Sequence, residues 1–185
     1  MDEKELFRLI HHVQKNGDAV AADTLVRGFY DEIFVYAARQ VKDRHTAMDI
    51  TQQIFISMLQ TIGRYDGKKA GFRTWLYRIA TNKIIDFHRS NGALRKKVLA
   101  LDDVDLAVGD DFAERLGDAD LAGRIMAQVS GYDPEVQRIF RLKVYGGHTF
   151  VEIAGMLEMA EATVKTKYYR LVKALRKEFA DAYEC

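Results

Sequence analysis

The sequence predicts an all-α protein built from two small helical domains. Apolar residues recur at the three- and four-residue spacing of amphipathic helices along most of the chain, and no strand hairpin pattern stands out. Only one proline occurs in 185 residues, which argues against a loop-rich protein. An acidic segment without apolar periodicity separates the two helical regions. We therefore expect domains at residues 1–92 and 121–185, joined by an acidic linker at 93–120.

The N-terminal domain is predicted to contain four helices. Helical spacing of apolar residues gives the first three, over residues 2–15, 18–41 and 46–62. Thr46 and Asp49 have the spacing of a capping box at the start of the third helix. Three glycines between positions 63 and 71 then interrupt the pattern. A fourth helix follows and ends near Ser90.

One stripe of the fourth helix is unusual because it joins the only tryptophan to charged and amide side chains. At about 3.6 residues per turn, the apolar positions share one face and a second stripe lies away from it. That second stripe consists of Trp75, Arg78, Asn82, Asp86 and Arg89. A flat aromatic ring among cations and amides suits the binding of unstacked nucleic-acid bases. The alternative is a partly buried tryptophan that only packs at a helix start.

Charge is segregated along the chain although the net charge is only +1. Residues 61–100 contain ten basic and two acidic residues, and residues 101–121 contain one basic and eight acidic residues. The basic block includes the Trp75 helix, so it indicates a surface for a polyanion. A basic face that is simply solvated would give the same pattern.

The C-terminal domain is also predicted to contain four helices, over about 120–130, 134–145, 149–157 and 161–181. Asp133 before Pro134 is typical of a helix start, and Thr149 with Glu152 forms a capping box. The last two helices, joined by a three-residue turn, predict a helix-turn-helix. That turn lacks the glycine many such motifs contain, and Ala160 stands at the expected N-cap.

The final helix has an apolar arc and an opposite basic arc. We expect Val164, Tyr168, Leu171, Val172 and Leu175 to be buried. The basic arc comprises Lys165, Thr166, Tyr169, Arg170, Lys173 and Arg176. Such a helix fits the width of the DNA major groove, where Lys and Arg donate to guanine edges and phosphates. The alternative is an ordinary amphipathic helix whose basic face is solvent-exposed and has no ligand.

Several functional classes are disfavoured by the sequence. No run of 18 apolar residues is present, and the N-terminus lacks the features of a secretory signal. The single cysteine, Cys185, fits a reducing, cytoplasmic environment. The five histidines lack metal-ligand spacing, and no nucleophile–base pair or phosphate-binding glycine loop is present. We therefore expect no metal, no cofactor and no enzymatic activity.

Three stretches in order resemble the extracytoplasmic-function (ECF) sigma factors of the sigma-70 superfamily, which give RNA polymerase its promoter specificity. Residues 47–55 resemble sigma region 2.2, residues 72–89 resemble regions 2.3 and 2.4, and residues 149–176 resemble region 4.2. The resemblance implies a transcription initiation factor that binds core polymerase, recognises the minus-10 and minus-35 promoter elements and assists melting.

The resemblance also implies roles for individual residues. Polymerase β′ clamp helices would bind Asp49, Gln52, Gln53 and Phe55. The minus-10 element would be bound by Tyr65, Lys68, Lys69, Phe72, Arg73, Trp75, Arg78, Asn82, Asp86 and Arg89. The minus-35 element would be bound by Lys165, Thr166, Tyr169, Arg170 and Lys173.

The chain departs from the family pattern at several positions. The family commonly has glutamate where Gln53 stands, so that polymerase contact should be less charged here. Glu158 and Ala162 replace glycines that are usual around the turn of the helix-turn-helix. The fold should survive these changes, but the preferred DNA sequence could differ.

The resemblance implies partners as well. They are core polymerase (β′ clamp helices and β flap), promoter DNA and an anti-sigma factor, with the chain monomeric on its own.

The sequence is also compatible with two other functions. A stand-alone helix-turn-helix transcriptional regulator would bind duplex DNA specifically without polymerase. A helical interaction module with no nucleic-acid role would show no salt-sensitive affinity for DNA and would leave the Trp75 stripe unexplained.

Overall fold

A computed structural model describes residues 1–41, 43–68, 70–90 and 119–179. These residues form helices and connecting loops without any strand, as the sequence predicted. The chain divides into two compact units, Met1–Ile84 and Ile85–Cys185. The predicted acidic linker lies outside the described residues except for its last two positions, which begin a helix. Within the described part of the chain, no helix combines the length and apolarity needed to cross a membrane.

The N-terminal region contains the four predicted helices. They are α1 (Glu3–Asn16), α2 (Ala19–Ala38), α3 (Arg44–Thr61) and α4 (Phe72–Ser90), with a 3₁₀ turn at Ile62–Arg64 between α3 and α4. Helix α2 ends three residues before its predicted end. The backbone N–H of Arg39 already bonds back to Ala37 and Val35, which closes the last turn.

Aspartates begin the first three helices, and one of them corrects a sequence prediction. The carboxylates of Asp2, Asp18 and Asp43 accept hydrogen bonds from first-turn N–H groups of α1, α2 and α3. The predicted capping box at Thr46 and Asp49 is wrong, because α3 starts two residues earlier. Asp43 caps the helix, and Thr46 donates to it from both its backbone N–H and its hydroxyl.

Helix α4 is fixed against α2 by a buried polar link within an apolar core. The Tyr36 hydroxyl and the Thr81 hydroxyl oxygen are 2.8 Å apart, and Thr81 donates to the Tyr77 carbonyl at 2.7 Å. Because the single Thr81 proton is used in that second bond, Tyr36 is the donor of the first. The Tyr36 and Tyr77 rings meet edge to face at 4.9 Å. The link therefore holds the face of α4 that carries Tyr77 and Thr81 towards α2.

The C-terminal region contains the other four predicted helices. They are α5 (Ala119–Val129), α6 (Pro134–Val144), α7 (Phe150–Leu157) and α8 (Glu161–Glu178). The capping box of Thr149 and Glu152 is present with both of its bonds, and Asp133 caps α6 as predicted. Ala160 is the N-cap residue of α8 and provides no side-chain cap, also as predicted.

The turn between α7 and α8 adopts a conformation that favours glycine. Glu158 has φ 56° and ψ 44°, in the left-handed region. Backbone bonds from Glu158 and Met159 to the Ala154 carbonyl hold the turn closed. A glutamate therefore occupies a glycine-type position in the helix-turn-helix of α7 and α8.

Candidate nucleic-acid interface

The charged stripe predicted on α4 lies on the surface. Arg78, Asn82, Asp86 and Arg89 are exposed, whereas Leu76, Ala80 and Ile84 on the other face are buried. Asp86 and Arg89 lie 3.8 Å apart as an exposed ion pair one turn from each other. Such pairs contribute little to stability. A ligand that displaced this ion pair would therefore cost the fold little stability.

Trp75 belongs to an aromatic cluster that we define as Tyr65, Phe72 and Trp75. The Trp75 ring centroid lies 5.2 Å from that of Tyr65 and 5.7 Å from that of Phe72, both tilted. Trp75 and Tyr65 are half-buried, and Phe72 is only 3% exposed. Phe72 was predicted to contact DNA, but its burial against Phe29 makes it a support beneath Trp75 instead. The two half-buried rings keep part of their surface open.

The segment between the 3₁₀ turn and α4 is closed by its own side chains. The Tyr65 hydroxyl donates to the Ala70 carbonyl at 3.0 Å, and Asp66 accepts the Lys68 N–H at 3.0 Å. Partial burial, aided by Asp66, raises the pKa of the Tyr65 phenol, which stays protonated as a donor. Lys68 is exposed, and Lys69 lies outside the described residues.

Arg73 is paired at the surface with a carboxylate that the sequence did not indicate, and its side chain stays 59% exposed. Its Nε donates to Glu32 Oε1 at 2.6 Å, and its guanidinium lies 5.7 Å from the centroid of the Tyr77 ring. Hydrogen bonding to Glu32 is the main cause that raises the pKa of Arg73. Burial is the main cause that raises the pKa of Tyr77, with Glu32 next. Glu32 thus offsets the charge that Arg73 would present to DNA.

The predicted polymerase-binding residues of α3 separate into surface and core. Asp49, Gln52 and Gln53 are exposed on one face of the helix. Phe55 is 4% exposed and stacks on Tyr30 with ring centroids 6.0 Å apart. Phe55 therefore cannot form a surface contact in this conformation, and it anchors α3 to α2. Sequence spacing alone did not separate it from its neighbours.

The apolar arc predicted on α8 is the buried one. All five of its residues are buried, namely Val164, Tyr168, Leu171, Val172 and Leu175. On the opposite arc Lys165 and Lys173 are exposed, and Thr166, Tyr169 and Arg170 are half-buried. The helix therefore presents its polar arc at the surface of the C-terminal unit.

Contacts along α8 order that polar arc. Lys165 Nζ lies 2.7 Å from Glu161 Oε1, and the Thr166 hydroxyl donates to the Ala162 carbonyl. The Tyr169 ring lies 5.6 Å from the Phe150 ring of α7. The side chains that would meet base edges are thus restrained before any ligand arrives.

Lys143 joins this surface although the sequence gave no signal for it. Its Nζ lies 4.8 Å from the centroid of the Phe150 ring, and Lys165 Nζ lies 6.0 Å from the same centroid. Two cations from α6 and α8 therefore gather around one aromatic ring. Lys143 belongs to no face of α6 that sequence periodicity would mark as functional.

Known proteins resemble both parts of the chain. The Sigma-70 region 2 family matches residues 25–93, and the Sigma-70 region 4 family matches residues 124–175. In fold, the chain is similar to a solved structure of CnrH in complex with the cytosolic domain of CnrY. That likeness has a TM-score of 0.61 at 20% identity and covers 97% of this chain and 99% of the other.

Three curated relatives show how far the similarity extends. The ECF RNA polymerase sigma factor SigL of Mycobacterium tuberculosis is 30% identical over 168 residues, 87% of this chain and 92% of SigL. SigW of Bacillus subtilis is 29% identical over 180 residues, 90% of this chain and 93% of SigW. SigE of Mycolicibacterium smegmatis is 29% identical over 155 residues, 83% of this chain but only 60% of SigE. The chain therefore belongs to the ECF RNA polymerase sigma factors.

Proposed function

We propose that this sigma factor binds core RNA polymerase, recognises the minus-10 and minus-35 promoter elements and assists promoter melting. Residues 1–92 would act as the polymerase-binding and minus-10 domain, and residues 121–185 as the minus-35 domain, with 93–120 as linker. The chain would supply binding energy, and the polymerase would perform the chemistry. The observation that carries the proposal is the pair of half-buried rings, Tyr65 and Trp75, at the start of the exposed charged stripe of α4.

Promoter melting requires that stacking on the protein replace stacking in the duplex. Unpairing and unstacking one base costs a few kcal/mol, and stacking on an aromatic side chain returns about 1–3 kcal/mol. Tyr65 and Trp75 would provide the stacking surface, and the buried Phe72 ring would hold Trp75 in place by packing against it. Lys68, Arg73 and Arg78 would hold the phosphates, and this contribution weakens as salt rises.

The upstream part of the minus-10 element would meet the remainder of the α4 stripe. Asn82 can donate and accept at a base edge, and Arg89 can donate to a base or a phosphate. Asp86 would orient Arg89 through their ion pair. Lys69, which lies outside the described residues, is proposed from the sequence to act with Lys68 in the loop that holds the flipped base.

The minus-35 element would be bound in the major groove by α8. Lys165, Thr166, Tyr169 and Arg170 lie along its polar arc, and Lys173 follows one turn later. The Phe150 ring restrains Tyr169, which lowers the side-chain entropy lost on binding.

Polymerase would bind the exposed face of α3 through Asp49, Gln52 and Gln53, with Phe55 as the buried anchor of that helix. The C-terminal domain would bind the polymerase β flap. An anti-sigma factor that covers these surfaces is a further proposed partner. Its support is family membership, together with the similarity in fold to CnrH, which was solved with a partner domain.

The deciding experiment is run-off transcription with core polymerase on a genomic promoter library. Transcripts should start at defined promoters only when this protein is added. A stand-alone regulator would instead bind its DNA sites without polymerase and would give no core-dependent initiation. The absence of any transcript that depends on the added protein would refute the proposal.

A further inference from the structure

Helix α1 precedes the segment that matches the region 2 family, which starts at residue 25. One of its side chains nevertheless reaches the loop that carries Tyr65, one member of the aromatic cluster. Gln14 Nε2 donates to the Ile62 carbonyl at 2.8 Å and to the Tyr65 carbonyl at 3.0 Å. Both hydrogens of one amide group are thus used on two carbonyls that are 48 and 51 residues away in sequence.

The two carbonyls lie where the backbone leaves regular structure. Ile62 begins the 3₁₀ turn, and Tyr65 directly follows that turn. Carbonyls at a helix end lack intrahelical partners, so another group must satisfy them. The Ile62 carbonyl also accepts the Tyr65 N–H at 3.0 Å. Gln14 therefore fixes the backbone on both sides of the turn that ends at Tyr65.

The position of the Tyr65 backbone affects where the half-buried rings of Tyr65 and Trp75 lie. Its hydroxyl reaches the Ala70 carbonyl, and its ring lies 5.2 Å from the Trp75 ring. A displacement at the Tyr65 carbonyl would therefore move the ring that packs against Trp75. Gln14 itself is exposed, so its replacement leaves no cavity in the core.

We propose that Gln14 is a positioning residue for the minus-10 site. Through its two hydrogen bonds it holds Tyr65 and Trp75 in the arrangement that receives an unstacked base. The inference rests on the proposed function for its DNA readout, but its first readout does not involve DNA. It assigns to α1 a role in promoter melting without contact between α1 and DNA.

Three substitutions at Gln14 separate hydrogen bonding from other effects. Gln14→Ala removes both bonds, and Gln14→Glu places an acceptor of nearly the same size against two carbonyl oxygens. Gln14→Lys restores a donor, because an ammonium group can donate three hydrogen bonds. His11→Ala is the matched control, since His11 is exposed on the same helix.

The first readout is the fluorescence of Trp75, which is the only tryptophan in the chain. In the free full-length protein, Gln14→Ala and Gln14→Glu should shift its emission and increase its quenching by acrylamide. Gln14→Lys should return both towards wild type, and His11→Ala should change neither. Equal emission in Gln14→Ala and His11→Ala would overturn the inference.

The second readout is binding of holoenzyme to a fork promoter whose non-template minus-10 strand is single-stranded. Gln14→Ala should weaken it by about 2- to 10-fold, the equivalent of one net hydrogen bond, and Gln14→Glu by more. The unfolding midpoint of Gln14→Ala should lie only slightly below that of His11→Ala, because the two lost bonds are part-buried or exposed and water can replace the amide. An emission shift without a loss of fork binding would overturn the positioning role, provided that Trp75→Ala weakens the same binding. If Trp75→Ala has no effect either, the proposed function itself is wrong.

Discussion

Gly146 lies between α6 and α7 at a point where no side chain fits. A Cβ added there would lie 2.7 Å from the Leu142 carbonyl oxygen and 2.7 Å from Cδ2 of the His148 ring. The Leu142 oxygen accepts the His148 N–H at 3.2 Å, so it cannot withdraw without loss of that bond. Gly146→Ala must therefore shift the backbone that leads into the helix-turn-helix.

The expected destabilisation is about 1–3 kcal/mol, the range for overpacking a closely packed site. The control is Gly155→Ala, the same chemical change within α7, where an added Cβ meets nothing within 4 Å. Alanine is favoured over glycine inside a helix by about 0.5–1 kcal/mol, so this variant should be more stable than wild type.

Urea unfolding followed by circular dichroism measures both variants. The free energy of unfolding of Gly146→Ala should be lower than that of wild type, and that of Gly155→Ala should be higher. If Gly146→Ala proves as stable as Gly155→Ala, the close approach at Gly146 does not constrain the fold and the reasoning is refuted.

Three further predictions follow from single contacts. Tyr36→Phe removes the buried donor to Thr81 and should lower the free energy of unfolding by about 0.5–1.5 kcal/mol; an unchanged urea midpoint would contradict this. Glu32→Gln removes the charge that offsets Arg73. The slope of the logarithm of fork-DNA affinity against the logarithm of salt concentration should therefore become more negative by up to about one unit. An unchanged slope would show that Arg73 does not meet a phosphate. The bonds of Asp43 at the start of α3 lower its pKa from 3.8. Its stabilisation is therefore present above pH 3.8 and is lost as pH falls through the lower, folded-state pKa. Asp43→Asn keeps an N-cap acceptor but does not titrate. Its free energy of unfolding should therefore fall less steeply than that of wild type as the pH is lowered below 3.8. Identical pH dependence in this range would contradict the assignment.

The fold was predictable because its helices carry strong local signals. The five-residue apolar arc of α8 and the capping box at Thr149 are confirmed, since spacing and capping chemistry act within a few residues. The predicted start of α3 was wrong because the local signal there was ambiguous. Asp43 and Thr46 both suit a helix start, and only the structure shows that Asp43 accepts while Thr46 donates.

The candidate site was less predictable because its details depend on contacts between distant segments. Periodicity showed that Phe55 and Phe72 lie on helices, but their burial depends on Tyr30 and Phe29 of α2. No local pattern marks Gln14, whose partners lie 48 and 51 residues away.

The central claim is that aromatic and cationic side chains around Trp75 capture a melted promoter strand. Permanganate footprinting of the open complex tests it directly, because the reagent oxidises thymines of the melted region that are no longer stacked in the duplex. Holoenzyme with Trp75→Ala and Arg78→Ala should show thymine reactivity lowered by about tenfold or more, as expected when a stacking contact is lost. The matched control is Phe7→Ala with Arg8→Ala, an exposed aromatic and arginine pair on α1, which should keep full reactivity. Full reactivity in the Trp75 and Arg78 variant would contradict the account.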